Sequence, residues 1–164
     1  MQAMAMKSTA PLTALVLGGG GSRGAIEVGF YRALVELGVR IDLIVSSSIG
    51  AVNGALIVAG LSPEELENLW RTIRTRDVVG SRWEYLGLLM GASSVFSNHR
   101  LDKLLQSELP VRSFGELRIP LAIVGTDLEI GETIVLREGN LIEAILASTA
   151  LPGFSPPSHG RVEG

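Results

Sequence analysis

Leu12-Thr-Ala-Leu-Val-Leu-Gly-Gly-Gly-Gly-Ser-Arg-Gly24 is the stretch on which the fold turns. The short apolar run Leu12 to Leu17 stops at the glycines Gly18 to Gly21, as a buried parallel strand feeding a tight loop would. Beyond it, Ala25 to Leu37 carries Ile26, Phe30, Ala33, Leu34 and Leu37 at helical spacing and ends at Gly38, a usual residue just past a helix end. Ile41 to Val45 then repeats the β-branched run, three serines make the turn, and Ile49 to Ala59 reads as a second helix. A unit of strand, sharp turn and helix thus occurs twice.

Outward from these units, Ser62-Pro63-Glu64-Glu65 opens a third helix running to about Ile73. Ser62 suits the N-cap, Pro63 the first turn, and Glu65 completes a capping box. Arg74 to Ser97 is weakly patterned and reads as a partly helical insertion. Leu101, Leu104, Leu105 and Leu109 mark a helix closed by Pro110, and His99 beside Asn98 reads as an exposed helix-start residue. Ile119 to Val124 is a buried-type strand, and Thr133 to Leu136 pairs with it or extends the sheet after a turn near Gly131. Leu141 to Leu146 is a short helix before a Pro- and Gly-rich tail. Alternating strands and helices predict a three-layer α/β/α architecture around a central, mostly parallel sheet.

The 164 residues suit one domain spanning the chain, with residues 1–10 as a flexible N-terminus. Lys plus Arg number 14 against 17 for Asp plus Glu, so there is no basic excess to neutralise a nucleic-acid backbone. With no cysteine, a disulfide framework, a thiolate metal site and a cysteine nucleophile are excluded. The oligomeric state is left open. The start of the chain lacks a cleavage site after its short apolar run, so no signal peptide is read. Leu43 to Leu61 contains no charged residue, and approaches membrane-span length; Ser46, Ser47, Ser48 and Asn53 near its middle favour a buried strand running into a buried helix.

Two turns carry chemistry. Gly18 to Gly24 lies between strand and helix, where bare backbone N–H groups at a helix N-terminus form an anion site. Gly19-x-Gly21-x-x-Gly24 fits a dinucleotide fingerprint, but Val45 to Ser47 stands where an acidic ribose-binding residue belongs, and no Lys-Ser/Thr pair supplies a P-loop. Ser46-Ser47-Ser48-Ile49-Gly50 has the form of a nucleophile elbow centred on Ser48. Its small residues lie two before and two after the serine, with Ser46 where glycine is usual. Adjacent turns of a parallel sheet place both loops at one edge, so the glycine loop and the Ile49 N–H would serve as oxyanion donors.

Together these motifs resemble the patatin-like phospholipase family. The loop Gly19-Gly20-Gly21-Ser22-Arg23-Gly24 is similar to that family's G-G-G-x-[RK]-G, and Ser46 to Leu56 to its elbow and following helix. Pro120 to Leu128 with Gly131-Glu132 is similar to its central strand and turn, and Ala147 to Pro157 to its A-S-x-A-x-P-x-x-F-P-P segment. The resemblance implies a Ser–Asp dyad without histidine, metal or cofactor, with Ser48 as nucleophile, cleaving acyl esters of phospholipids or related lipids. The family's aspartate lies in an Asp-Gly motif shortly after the paired prolines; here Glu163-Gly164 stands nearest to it, and truncation before the acid is the expectation. Ser48, Asp127 and His159 also occur in the order of an α/β-hydrolase triad, although Asp127 reads as a turn residue. Arg23 either braces the glycine loop or adds positive charge. The expected setting is cytoplasmic with peripheral contact at a membrane surface; the alternatives are a nucleotide-binding α/β module and an inactive lipid-binding domain.

Overall fold

The structure is a computed structural model that describes residues 11–72 and 98–150. The N-terminus, the insertion expected over 74–97, and the tail with Pro157, His159 and Glu163 lie outside the described residues.

Strand β1 (Ala14–Leu17) passes through the glycines and a 3-10 turn, Gly21–Arg23, into helix α1 (Gly24–Glu36). Strand β2 (Leu43–Ser47) leads through Ser48 into α2 (Ile49–Ala59), followed by α3 (Pro63–Thr72). After α4 (Asn98–Glu108) come β3 (Leu121–Thr126), β4 (Thr133–Leu136) and α5 (Leu141–Thr149). The sheet order is β1-β2-β3-β4, with the first three strands parallel and β4 antiparallel to β3. The charge-free stretch 43–61 is therefore strand plus helix, and no helix among the described residues is long and apolar enough to cross a membrane.

Strand register explains where the core sits. Leu15 aligns with Ile44 and Ile44 with Leu121, while Leu17 aligns with Ser46 and Ser46 with Ile123. Side chains alternate along a strand, so these residues share one face, and all are buried. Helix α2 lies on that face: the Gly54 Cα sits so close to Ile44 and Ser46 that an added Cβ would come within 3.2 Å of Ile44 Cγ2. Almost every α2 residue is buried, as expected of a helix without a polar face, and Leu141, Ala144 and Ile145 of α5 complete the core beside it.

The opposite sheet face is more open: Val16 is 71% exposed, and Val45, Ala122 and Val124 are half-buried. The fold is α/β with a mixed, mostly parallel sheet; among the described residues its helical cover lies on the face that carries Ile44. Helix α1 also departs from a simple amphipathic reading. Its periodic apolar residues include Ile26, 72% exposed, and Phe30, 55% exposed, whereas Gly24 and Val28 are buried. Periodicity locates an apolar stripe but not what covers it.

The third helix begins as its capping box predicts: the Glu65 N–H donates to Ser62 Oγ at 3.2 Å and the Ser62 N–H to Glu65 Oε2 at 2.7 Å. The last helix runs beyond Leu146 to Thr149. Thr149 Oγ1 donates back to Ile145 O at 3.0 Å, keeping its hydroxyl satisfied within the helix.

Candidate active site

Ser48 joins β2 to α2 with φ 54° and ψ −126°. Among the described residues it is the only non-glycine with positive φ. An L-residue in this region carries roughly 1–3 kcal/mol of strain, so the surroundings must hold it there. One restraint is local: the Ala51 N–H donates to Ser48 O at 2.8 Å, turning the chain into the helix. A second comes from sequence far away. The Ser48 N–H donates to Ser148 Oγ at 2.8 Å, and Ser148 Oγ donates to Val124 O at 2.6 Å. Ser148 on α5 thereby ties the turn to β3.

Close backbone approach is the third restraint. A Cβ on Gly50 would lie 2.6 Å from Leu17 C and 2.7 Å from Gly18 O, distances that no side chain tolerates. Only glycine lets the start of α2 lie against the end of β1, and this contact brings the two turns together. At the other side of the loop, a Cβ on Gly19 would meet Ser48 Cβ at 3.2 Å and Ser48 Oγ at 3.7 Å. The expected meeting of glycine loop and serine is therefore present in the fold.

Within the loop, Gly20 (φ 155°) and Gly21 (φ 59°) take conformations open mainly to glycine. The Arg23 N–H donates to Gly20 O at 3.2 Å, and the Gly24 N–H to the carbonyls of Gly21 and Ser22. Those two N–H groups are committed to the 3-10 turn, and Gly24 packs closely on Ile49 and Trp70, so Arg23 and Gly24 supply the loop's frame through their backbone. Gly19 faces Ser48, Gly20, Gly21 and Ser22 continue the loop from it, and Ile49 opens α2 directly after the serine. Ser46 is buried under Gly54, with Oγ 3.4 Å from Ala122 O, so a small side chain there is fixed by helix–sheet packing.

Asp127 is engaged elsewhere. Its Oδ1 accepts from the Glu129 N–H at 2.8 Å, and its carbonyl from the Gly131 N–H at 2.8 Å, closing the β3–β4 turn. That is the turn role expected from sequence. The remaining candidates for a base, His159 and Glu163, lie outside the described residues.

Behind the two turns lies a polar cluster that sequence reading passed over. Asn53, fully buried on α2, donates from Nδ2 to Gly24 O at 2.9 Å and to Glu27 Oε2 at 2.8 Å. Its Oδ1 accepts from Trp70 Nε1 at 2.9 Å. Burial pushes the Glu27 carboxyl above its ordinary value, opposed by the bond it accepts from Asn53. Nothing in a single Asn within an apolar helix signals these partners; the one sequence clue is a polar residue inside an otherwise apolar face. A separate cleft of about 380 Å³ between α1 and α3, lined by Arg32, Glu67 and Trp70, does not include Ser48.

The chain is similar to known proteins in both sequence and fold. A family model described as patatin-like phospholipase matches residues 15–163. The mouse patatin-like phospholipase domain-containing protein 7 is 33% identical over 158 residues, covering 94% of this chain and 11% of the relative. The Drosophila melanogaster neuropathy target esterase sws is 30% identical over 145 residues, covering 87% of this chain and 10% of the relative. The chain thus spans about a tenth of these relatives. Among solved structures, ExoU of Pseudomonas aeruginosa, in complex with SpcU, aligns with TM-score 0.64 at 21% identity, over 87% of this chain and 39% of that one. VipD of Legionella pneumophila aligns with TM-score 0.67 at 15% identity, over 93% and 45% respectively. Shared fold, a family match over most of the length and relatives at this identity lead to one conclusion: the chain belongs to the patatin-like phospholipase family.

Proposed function

We propose that this chain is a serine acyl hydrolase domain that cleaves lipid acyl esters through an acyl-Ser48 intermediate. The observation that carries the reading is the strained backbone of Ser48 beside Gly19. A serine held at such a cost is explained by a need to present its Oγ at the sheet edge. In this reading Ser48 Oγ loses its proton to a general base and attacks the ester carbonyl carbon. The carbonyl π pair moves onto oxygen, and the tetrahedral oxyanion accepts from N–H groups of Gly19, Gly20, Gly21, Ser22 and Ile49. Both helix N-termini favour that charge. Collapse expels the alcohol, which takes up a proton, and water then releases the acid from Ser48. No metal or cofactor enters these steps.

The substrate class follows from the family, whose relatives are named as phospholipase and esterase. Exposed Ile26 and Phe30, on the first two turns of α1 beside the glycine loop, support contact of this edge with a lipid surface. The setting proposed is cytoplasmic, at such a surface. Release of fatty acid from phospholipid vesicles by the parent, abolished in Ser48→Ala, is the expected result. Vesicle binding without any acyl release would favour an inactive lipid-binding domain, and equal release by Ser48→Ala would remove Ser48 from the chemistry.

A further inference from the structure

Glu27 and Asn53 have no part in the steps above, yet they meet directly behind the glycine loop. Asn53 lies four residues after Ile49 on α2, and Glu27 three residues after Gly24 on α1, so each sits about one turn in from its helix start. Both Nδ2 hydrogens of Asn53 are used, one on Gly24 O and one on Glu27 Oε2. Gly24 closes the glycine loop, and at the loop's start the Gly18 carbonyl abuts Gly50. The loop is consequently held against α2 at both ends, and Gly19 within it is the residue that faces Ser48.

We propose that Glu27 is a positioning residue for the glycine loop, fixing the Gly24 end of the loop against the elbow helix through the Asn53 side chain that it orients. Bonds to a carboxylate are stronger than bonds to a neutral acceptor, so the grip is tightest when Glu27 is ionised. A neutral Glu27 still accepts, but more weakly. Among the described residues, few charges compete for it. Helix α2 contributes no ionisable group; on α3, Glu67 pairs with Arg32 and Arg71, Arg23 precedes α1, and Tyr31 follows one turn later. Burial raises the Glu27 proton affinity, and the bond from Asn53 opposes it.

The activity arm of this inference rests on the acyl-hydrolase reading, and its structural arm does not. In the whole chain, the Asn53 side-chain amide protons, followed by two-dimensional NMR against pH, are expected to titrate with a midpoint above that of an exposed glutamate. Glu27→Gln should abolish that titration while preserving the fold. Glu27→Ala should additionally speed hydrogen exchange of the Asn53 side-chain amide. Labelling of Ser48 by a fluorophosphonate is expected to slow about tenfold in Glu27→Ala, less than the roughly 10²–10³-fold loss of an oxyanion donor. Glu27→Gln should recover much of the rate and lose its dependence on pH across the Asn53 titration. An Asn53 side-chain amide indifferent to Glu27 overturns the proposal, as does labelling of Glu27→Ala at the parental rate. Failure of the parent to label would count against the hydrolase reading, leaving the Asn53 titration to decide the role of Glu27.

Discussion

Ser148 Oγ accepts the Ser48 N–H at 2.8 Å across 100 residues of sequence. The same oxygen donates to Val124 O at 2.6 Å, so a single hydroxyl from α5 fastens the strained turn to β3. Removing it leaves two part-buried backbone groups without that partner, and an unsatisfied buried group costs about 1–3 kcal/mol. Ser148→Ala is therefore expected to lower the urea unfolding free energy by about that amount and to slow Ser48 labelling. Unchanged stability together with an unchanged rate would show that Ser148 does not hold the elbow.

Ser48 itself sits where glycine is at ease. Relief of strain worth roughly 1–3 kcal/mol exceeds most of the roughly 0.5–1 kcal/mol entropic penalty of glycine. Ser48→Gly is thus expected to be more stable than Ser48→Ala by about 1 kcal/mol, measured by chemical denaturation. Both variants should lose reactivity, because the hydroxyl is gone in each. Equal stability of the pair would contradict the strain inferred at this position.

The glycines divide sharply by what surrounds them. Gly50→Ala drives a methyl group into the Leu17 and Gly18 backbone, and neither side can yield without separating α2 from β1. Destabilisation by several kcal/mol, or failure to fold, is expected. Gly29, inside α1, has nothing within 4 Å of an added Cβ. There Gly29→Ala should raise stability by about 0.5–1 kcal/mol through helix propensity alone. Thermal unfolding of the two variants checks both statements.

Glu27 makes stability depend on pH in a defined direction. Its carboxyl is raised in the folded state because burial outweighs its hydrogen bonds, so the folded chain holds the proton more tightly than the unfolded one. This contribution is fully present below the unfolded pKa and is lost as pH rises through the folded value. Relative to Glu27→Gln, the parent should therefore lose stability between the ordinary glutamate range and the raised midpoint, then stay level at higher pH. A difference that is flat, or that rises with pH, would contradict the balance assigned to this group.

Much of this arrangement was legible in the sequence, because its signals are local. Glycines after an apolar run, serines after a β-branched run and the Ser62–Glu65 box each announce their own turn. Asp127 likewise read correctly as a turn residue. What escaped was the wiring between segments. Ser148 reaches Ser48 only because α5 packs beside α2 on one sheet face, and Asn53 finds Glu27 and Trp70 only when three helices converge. The exposed Ile26 and Phe30 show the same limit from the other side, since helical spacing defines a stripe without defining its partner.

The central claim concerns one oxygen atom, Ser48 Oγ, and the most direct measurement is the site of covalent capture. The chain is treated with a fluorophosphonate, digested and mapped by mass spectrometry, beside Ser48→Ala. A single adduct on the peptide containing Ser48, missing from the alanine variant, is the predicted result. An adduct on another residue, undiminished in Ser48→Ala, or no adduct on the folded parent, would contradict it.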